Sequence, residues 1–485
     1  MHPPSFLALL ASVLTLAGCP KAPDDSGPNP TDTVDTGPAM GCVEDEGLLS
    51  DLTWEVTAVP SVLRVRWTLE EPAPSHVAFQ PAGADTWTET ATIPIGGVGE
   101  ALLVGAGCDR EVQLRIIAGE GGAPACSPVQ VATTGAPPVG RPELDLLVGG
   151  EVPAFDGYML VQVAAPPAHY WAIILDGLGR FVWSWEGSGP MERLVLSPDG
   201  QGVMFSRGAK PSEGRDGSIL KVGFDGEDLG TTPFGNPGID FAVLPDGRPA
   251  SIVEDVREVE YGGRTHTILG QALDVWTEEG VTERLWSVWD ATSQDLETGH
   301  PEVTTRNGTV AEDWSHVNGM SYDAATDTFY LTAGYLDSVF AVDGATGENL
   351  WSLADQWGDW DVASTGTLIQ APHSARGLAD GHVLVFNRYD DPSACSDATE
   401  IALDTGAGTA ARVWAGVTES CLHVETLGNA ERLADGATVV SWSSAGQLDV
   451  LLPDSSSTLR IALGLGSTFG YVAPLSTLYP TAEPD

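Results

Sequence analysis

The chain has 485 residues, 42% of them hydrophobic and 19% charged, and a formal net charge of −46 with only three lysines. That length accommodates two or three domains of globular composition, and 57 Gly and 34 Pro, with few runs of helical period, point to an all-β plan rich in turns. So acidic a surface offers no basic patch to phosphates, which excludes nucleic acid and anionic lipid surfaces as partners.

The first segment reads as an address. Phe6 to Ala17 is apolar but too short for a permanent membrane helix. It ends in Leu16-Ala-Gly-Cys19, which resembles a bacterial lipobox, although the residues before it include no Lys or Arg. The resemblance implies cleavage before Cys19 and lipidation of that residue; Pro20 in place of Asp implies the outer membrane. The expected division is a signal peptide over 1–19 and a Pro-, Asp- and Thr-rich tether over 20–46 that cannot bury a core. Disulfides are expected outside the cytoplasm. Cys108 with Cys126 and Cys395 with Cys421 are the local pairs, which leaves Cys42 over. No Cys-x-x-Cys occurs, so neither a zinc site nor a redox motif is predicted.

Residues 47–137 predict a small β-sandwich. Leu63, Val65 and Trp67 alternate with Arg64, Arg66 and Thr68, the period of a strand with one buried face. Further strand-like runs are Leu52–Val59, Val77–Pro81, Thr86–Ile93, Ala101–Val104, Glu111–Ala118 and Val129–Thr133. Seven short strands with Trp67 on the second resemble a fibronectin type III domain. This part holds no catalytic constellation, and a spacer role is expected.

After the linker Gly135-Ala-Pro-Pro-Val-Gly140 a repeat begins. Inner hairpins with Asp-Gly-type turns are predicted at Arg193–Arg207, Asp240–Glu254, Asn318–Ala333, Ala375–Arg388 and Ala430–Ser443. Outer hairpins alternate with them at Trp171–Trp185, Ser218–Thr231, Gln271–Trp289, Ser338–Leu353, Thr399–Trp414 and Gln447–Ala462. The missing inner pair can form from Gly157–Val163 and Phe469–Tyr479, so that the two ends of the repeat share one blade and close a ring. The prediction is a six-bladed β-propeller over 138–485.

Strands entering the inner hairpins line the channel of such a ring. Seven residues before each turn Asp stand Glu192, Ile239, His316, His373 and Gly428; where the hairpins return stand Arg207, Glu254, Gly334, Arg388 and Ser443. His316 and His373 are thus expected at one height on neighbouring blades, within a mouth of mixed polar groups. His300, His382 and His423 have no repeated position and are read as incidental. The spacing shows no convergence of His and carboxylate on a metal, and no Gly-x-Ser-x-Gly elbow or phosphate loop is present.

At this point a resemblance is apparent. Ile174-Leu-Asp-Gly-Leu-Gly-Arg-Phe-Val-Trp183, Asp313-Trp-Ser-His-Val-Asn318, Val342-Asp-Gly-Ala-Thr-Gly-Glu-Asn-Leu-Trp351, Gln370 to His373 before Val383-Leu-Val-Phe-Asn387, Gly428-Asn-Ala-Glu-Arg-Leu433, and Tyr471 with Leu478-Tyr-Pro480 resemble the bacterial PAPS-independent arylsulfate sulfotransferases. The resemblance implies ping-pong transfer of a sulfo group from a small-molecule aryl sulfate to a phenol, through a sulfated channel histidine and without metal or nucleotide cofactor. It implies His373 as nucleophile and His316 as a second channel histidine; membrane contact is expected only through the lipid anchor at Cys19. The family's further histidine falls here at Ile239 or Gly238, and its arginine at Gly334. Arg388, one blade on, is the expected replacement, with Arg207 in reserve; Glu192, Asn318 and Asn429 complete the expected substrate-binding groups. The alternative is a propeller that has lost its chemistry and binds a ligand or protein at the cell surface.

Overall fold

A computed structural model describes residues 41–119, 123–207, 217–233, 240–277, 281–292, 299–362 and 367–479. Cys19, the tether up to residue 40 and the Gly238/Ile239 position lie outside the described residues. No helix among those described is long and apolar enough to cross a membrane.

Six sheets follow one another around a ring. Blade 1 is built of 158–165, 169–176 and 181–187, with the C-terminal strand 468–475 as its innermost member. Val161 faces Val472 across that seam, so the end of the chain closes the ring against its beginning. Blade 2 comprises 194–196, 202–207, 218–223 and 228–233; blade 3 is 241–243, 249–261, 264–276 and 282–287; blade 4 is 317–323, 328–333, 338–343 and 349–354. Blade 5 runs 372–377, 383–387, 397–404 and 409–416, and blade 6 runs 429–432, 438–441, 447–451 and 457–463. Strand 144–148 adds to the outer edge of blade 6, where an unpaired edge would otherwise stand.

The inner turns fold as their residues dictate. Gly200, Gly247, Gly381 and Gly436 each have φ between +65° and +89°, which an Asp-Gly turn permits without strain. Blade 4 lacks that glycine, and Asp327 takes the left-handed conformation at φ 49° instead. Buried apolar side chains fill the spaces between blades, with Trp171, Trp183 and Trp442 among the largest.

Two features depart from the expected repeat. Blade 3 carries two strands of 13 residues each, 249–261 and 264–276. Both extend past the blade, and the second pairs with a short hairpin, 302–304 and 310–313, on the way to His316. The sequence reading, which assumed uniform blades, ended these strands near Glu254 and Gln271.

The N-terminal β unit differs in two ways as well. Its central strand runs unbroken for 19 residues, Leu63–Pro81, in place of two short strands. Its first half pairs with 49–56 and 93–103 and its second half with 111–118. The register shifts on either side of Ala73, where Pro72 and Pro74 withdraw ladder donors and allow the bend. Order also begins before residue 47, because Cys42 is disulfide-bonded to Cys126 and Val43-Glu44 pairs with Ala125-Cys126. This corrects the expected Cys108–Cys126 bridge: Cys108 is a free, half-buried thiol. Proximity in sequence misled here, since the parallel pairing of a terminal segment brings the more distant cysteine closer. The Cys395–Cys421 bridge is present.

The unit docks on the face opposite the mouth where the inner strands begin. The Tyr479 hydroxyl accepts from the Val104 amide at 2.5 Å and donates to the Leu102 carbonyl at 3.0 Å. Arg64 pairs with Asp225 and, at 2.9 Å, with Glu227 on a blade 2 turn.

Candidate functional site

The ladder registers of blades 4 and 5 decide which residues are equivalent. Val317 faces Ala333, and Pro372 faces Asn387. In each blade the next residue, Asn318 or His373, has no partner across the ladder, and pairing resumes at Gly319 or Ser374. These are β-bulges, which re-aim a side chain out of the pleat. A comparable irregularity lies in the closing strand, where Gly470 and Tyr471 together face Gln162. Asn318, His373 and Tyr471 thus enter the channel from three blades at related places.

This overturns the equal heights expected for the two histidines. Asp323 is still a strand residue, paired with Thr328, whereas Asp380 stands inside the turn that follows Gly377. Counting back from both gave different registers. His316 is equivalent to Ala371, and both hold the left-handed conformation, at φ 50° and 43°. His316 sits at the rim and is part-exposed, while His373 lies deeper and only 3% exposed.

His373 is oriented through Nδ1, which lies 3.1 Å from the Gly428 carbonyl and 3.4 Å from the Tyr471 hydroxyl. A carbonyl can only accept, so Nδ1 carries the proton and the lone pair is on Nε2, which has no hydrogen-bond partner among the described residues. Burial pushes the His373 pKa down to about 3, and the charges of Arg388, His316 and Arg193 act the same way against the Gly428 hydrogen bond. The ring is therefore neutral and nucleophilic at physiological pH.

His316 is held by a chain of buried groups. Its Nδ1 is 2.6 Å from Asp313 Oδ2, and Asp313 Oδ1 accepts from the His316 amide at 3.2 Å. Gln271 donates to Asp313 at 3.1 Å, while its oxygen accepts from the Ser315 hydroxyl at 2.6 Å and the Val317 amide at 2.8 Å. Tyr335 stacks on the imidazole at 4.6 Å and on His300 at 5.7 Å. This arrangement leaves Nε2 of His316 as the atom able to give or take a proton.

Arg388 is equivalent to Gly334: each donates its amide to the carbonyl of the rim residue, Ala371 or His316. Its Nε donates to the Ala371 carbonyl at 3.3 Å and its Nη1 to the Glu425 carbonyl at 2.8 Å, and no described group takes Nη2. The Cys395–Cys421 disulfide joins the loop after Arg388 to the loop carrying Glu425. At Gly334 an added Cβ would stand 2.9 Å from Asn318 Nδ2 and 3.3 Å from His316 Cδ2, so the glycine leaves space between those two groups. Asn318 Nδ2 is buried without a partner among the described residues, and its Oδ1 accepts from Thr332 at 2.9 Å.

The other expected residues lie elsewhere. Arg207 donates to Ser188 at 3.2 Å, and Glu192 faces Arg306 at 3.8 Å along the rim. Asn429 does not face a ligand: both its amide atoms bond the Val472 backbone, at 2.9 and 3.0 Å, and hold the closing strand. His382 meets Glu400 at 2.7 Å and Asp380 at 3.3 Å at the far end of blade 5, and Arg432 takes the second Glu400 oxygen at 2.5 Å, so these four groups partner one another.

Sequence reasoning missed four groups. Arg306, on the short hairpin before His316, bonds Glu254 through its amide at 3.0 and 3.1 Å. Arg193, Asp240 and Tyr471 line the channel beneath His373, with Arg193 4.3 Å from the Tyr471 ring centre and 3.3 Å from Asp240. A signal was available, since Arg193 and Asp240 each stand six residues before a turn Asp.

Residues 240–451, which carry both histidines and Arg388, match the model of the arylsulfotransferase (ASST) family. No curated protein matches the chain. Among solved structures, a Bacteroides caccae protein of unknown function is 12% identical with a TM-score of 0.40, over 66% of this chain and 99% of that one. A functionally unknown protein from Desulfotomaculum acetoxidans is 13% identical with a TM-score of 0.37, over 65% of this chain and 88% of that one.

Proposed function

From the arylsulfotransferase match we propose that the chain transfers a sulfo group from an aryl sulfate to a phenol through His373. The observation that carries this reading is the neutral, buried imidazole, fixed at Nδ1 by the Gly428 carbonyl with Nε2 unengaged. The Nε2 lone pair forms the bond to sulfur as the bond from sulfur to the aryl oxygen breaks. The ring then holds positive charge, and the Gly428 carbonyl is placed to stabilise its Nδ1 proton. The departing aryl oxygen takes a proton from Nε2 of His316, and the same nitrogen later takes the proton of the attacking phenol as sulfur passes to it. Nη2 of Arg388 and Nδ2 of Asn318 are the donors available to the sulfuryl oxygens, where charge gathers in transit.

Release of nitrophenol from nitrophenyl sulfate, with phenol as acceptor, tests the reading. Wild type is expected to turn over, His373→Ala is expected to be inactive, and acid-labile sulfation is expected on His373 when the acceptor is withheld. A folded wild type without turnover would leave the ligand-binding alternative. We place the protein on the outer membrane through Cys19, with the N-terminal unit as a fibronectin-like spacer; labelling with a radioactive fatty acid that survives in Cys19→Ala would remove the anchor.

A further inference from the structure

A buried ion pair lies in the channel floor without an evident structural reason. Arg193 and Asp240 have side chains 8% and 0% exposed. Removing two charges from water costs several kcal/mol per ion, and such a pair contributes stability only when its geometry is close and every donor is met. Here neither condition holds. Arg193 Nη1 is 3.3 Å from Asp240 Oδ2 and 3.4 Å from the Met320 carbonyl, and its Nε has no hydrogen-bond partner among the described residues. Asp240 receives its shorter bonds from two backbone amides, Met320 at 2.7 Å and Phe241 at 2.9 Å. The carboxylate is therefore anchored by blades 3 and 4, and the guanidinium is held only loosely to it.

The guanidinium is instead aligned on the Tyr471 ring, 4.3 Å from its centre. A desolvated cation is attracted to the negative face of an aromatic ring. Tyr471 in turn touches the imidazole: the ring centres of Tyr471 and His373 are 5.6 Å apart. Burial pushes the Tyr471 hydroxyl well above the usual phenol range, so it remains protonated and donates to the Asn318 carbonyl at 3.3 Å. With its own proton used there, its oxygen is free to share the Nδ1 proton of His373 at 3.4 Å. Four blades thus contribute to one line of contacts from Asp240 through Arg193 and Tyr471 to His373. Arg193 and Tyr471 both lie outside the segment that matches the family.

We propose that Arg193 is a positioning residue for His373: lying between Asp240 and the Tyr471 ring, it backs that ring, and the Tyr471 hydroxyl joins the Gly428 carbonyl in keeping the imidazole in the tautomer whose lone pair is on Nε2. The kinetic part of this proposal rests on His373 being the nucleophile; the tautomer part does not.

The experiment pairs Arg193→Met with Asp240→Asn, so that no unpaired charge remains buried, and compares the double variant with Tyr471→Leu. Nitrogen NMR of the histidine side chains reads the tautomer, with His373 assigned by its loss in His373→Gln. Wild type is expected to show a single Nδ1–H tautomer, and both the double variant and Tyr471→Leu a mixture. For nitrophenyl sulfate, kcat is expected to fall roughly 10²-fold in each, with KM within about 3-fold of wild type, the size of effect that misplacement by about 1 Å produces. Combining all three substitutions is expected to be no worse than Tyr471→Leu alone, because groups acting in series do not add. An unchanged tautomer and kcat in the folded double variant would overturn the proposal, as would additive losses in the triple variant. If the double variant fails to fold, Tyr471→Leu decides alone, by the same tautomer reading. Should wild type not turn over aryl sulfates, the functional reading fails while the tautomer still tests Arg193.

Discussion

The state of His373 has consequences at two levels of pH. Its folded pKa of about 3 lies below the ordinary 6.5, so between those values the unfolded chain binds a proton that the folded chain does not. Stability from this group is fully present above pH 6.5 and is lost as pH falls toward 3, with a limiting slope of about 1.4 kcal/mol per pH unit. Urea unfolding at several pH values should show a shallower slope for His373→Gln than for wild type across that window. The rate, by the same reasoning, should not lose its nucleophile to protonation at pH 5. Arg388 makes a separate prediction. Its Nη2, which no described group takes, is the cationic donor that the proposed reaction uses, so Arg388→Ala should lower turnover by roughly 10²–10³ with the fold intact. Arg207→Ala, whose side chain bonds Ser188, should stay near wild type. A wild-type rate in Arg388→Ala would remove that arginine from the site.

Elements explain why the sequence was legible in some places and not in others. Blade order was readable because four of the inner turns announce themselves with Asp-Gly, and a turn that needs positive φ leaves few alternatives. The heights of His316 and His373 were not readable, because Asp323 still belongs to its strand while Asp380 stands inside the turn, and the residue type at the two places is the same. The Cys42–Cys126 pair escaped for a related reason: parallel pairing of a two-residue strand leaves no periodic trace. Loops raise their own prediction. Cys395 and Cys421, 26 residues apart, tie the Arg388 loop to the Glu425 loop. Replacing both cysteines by serine should cost about 3 kcal/mol by the chain-entropy argument. Because Arg388 is held by a carbonyl in the tied loop, kcat should fall at a temperature where circular dichroism still reports a folded protein. An unchanged kcat would mean that the Ala371 carbonyl alone positions Arg388.

For the whole molecule, closure of the ring and docking of the N-terminal unit fall to neighbouring residues of one segment. Strand 468–475 completes blade 1, carries Tyr471 into the channel and is fastened to blade 6 by Asn429 through Val472. A few residues later Leu478 is buried and Tyr479 bonds Val104 and Leu102 of the small unit. The two fastenings can be separated. Asn429→Ala strips a backbone amide and carbonyl of Val472 of their buried partners, at about 1–3 kcal/mol for each group left unmet. It should lower the melting temperature of the whole protein and disturb His373 through Tyr471. Tyr479→Phe removes only the hydroxyl. It should leave the propeller transition and the nitrophenyl sulfate rate in place, while proteolysis between the small unit and blade 1 becomes faster. Equal effects of the two variants on propeller melting would show that ring closure and docking are one cooperative event, with the small unit acting as part of the seam.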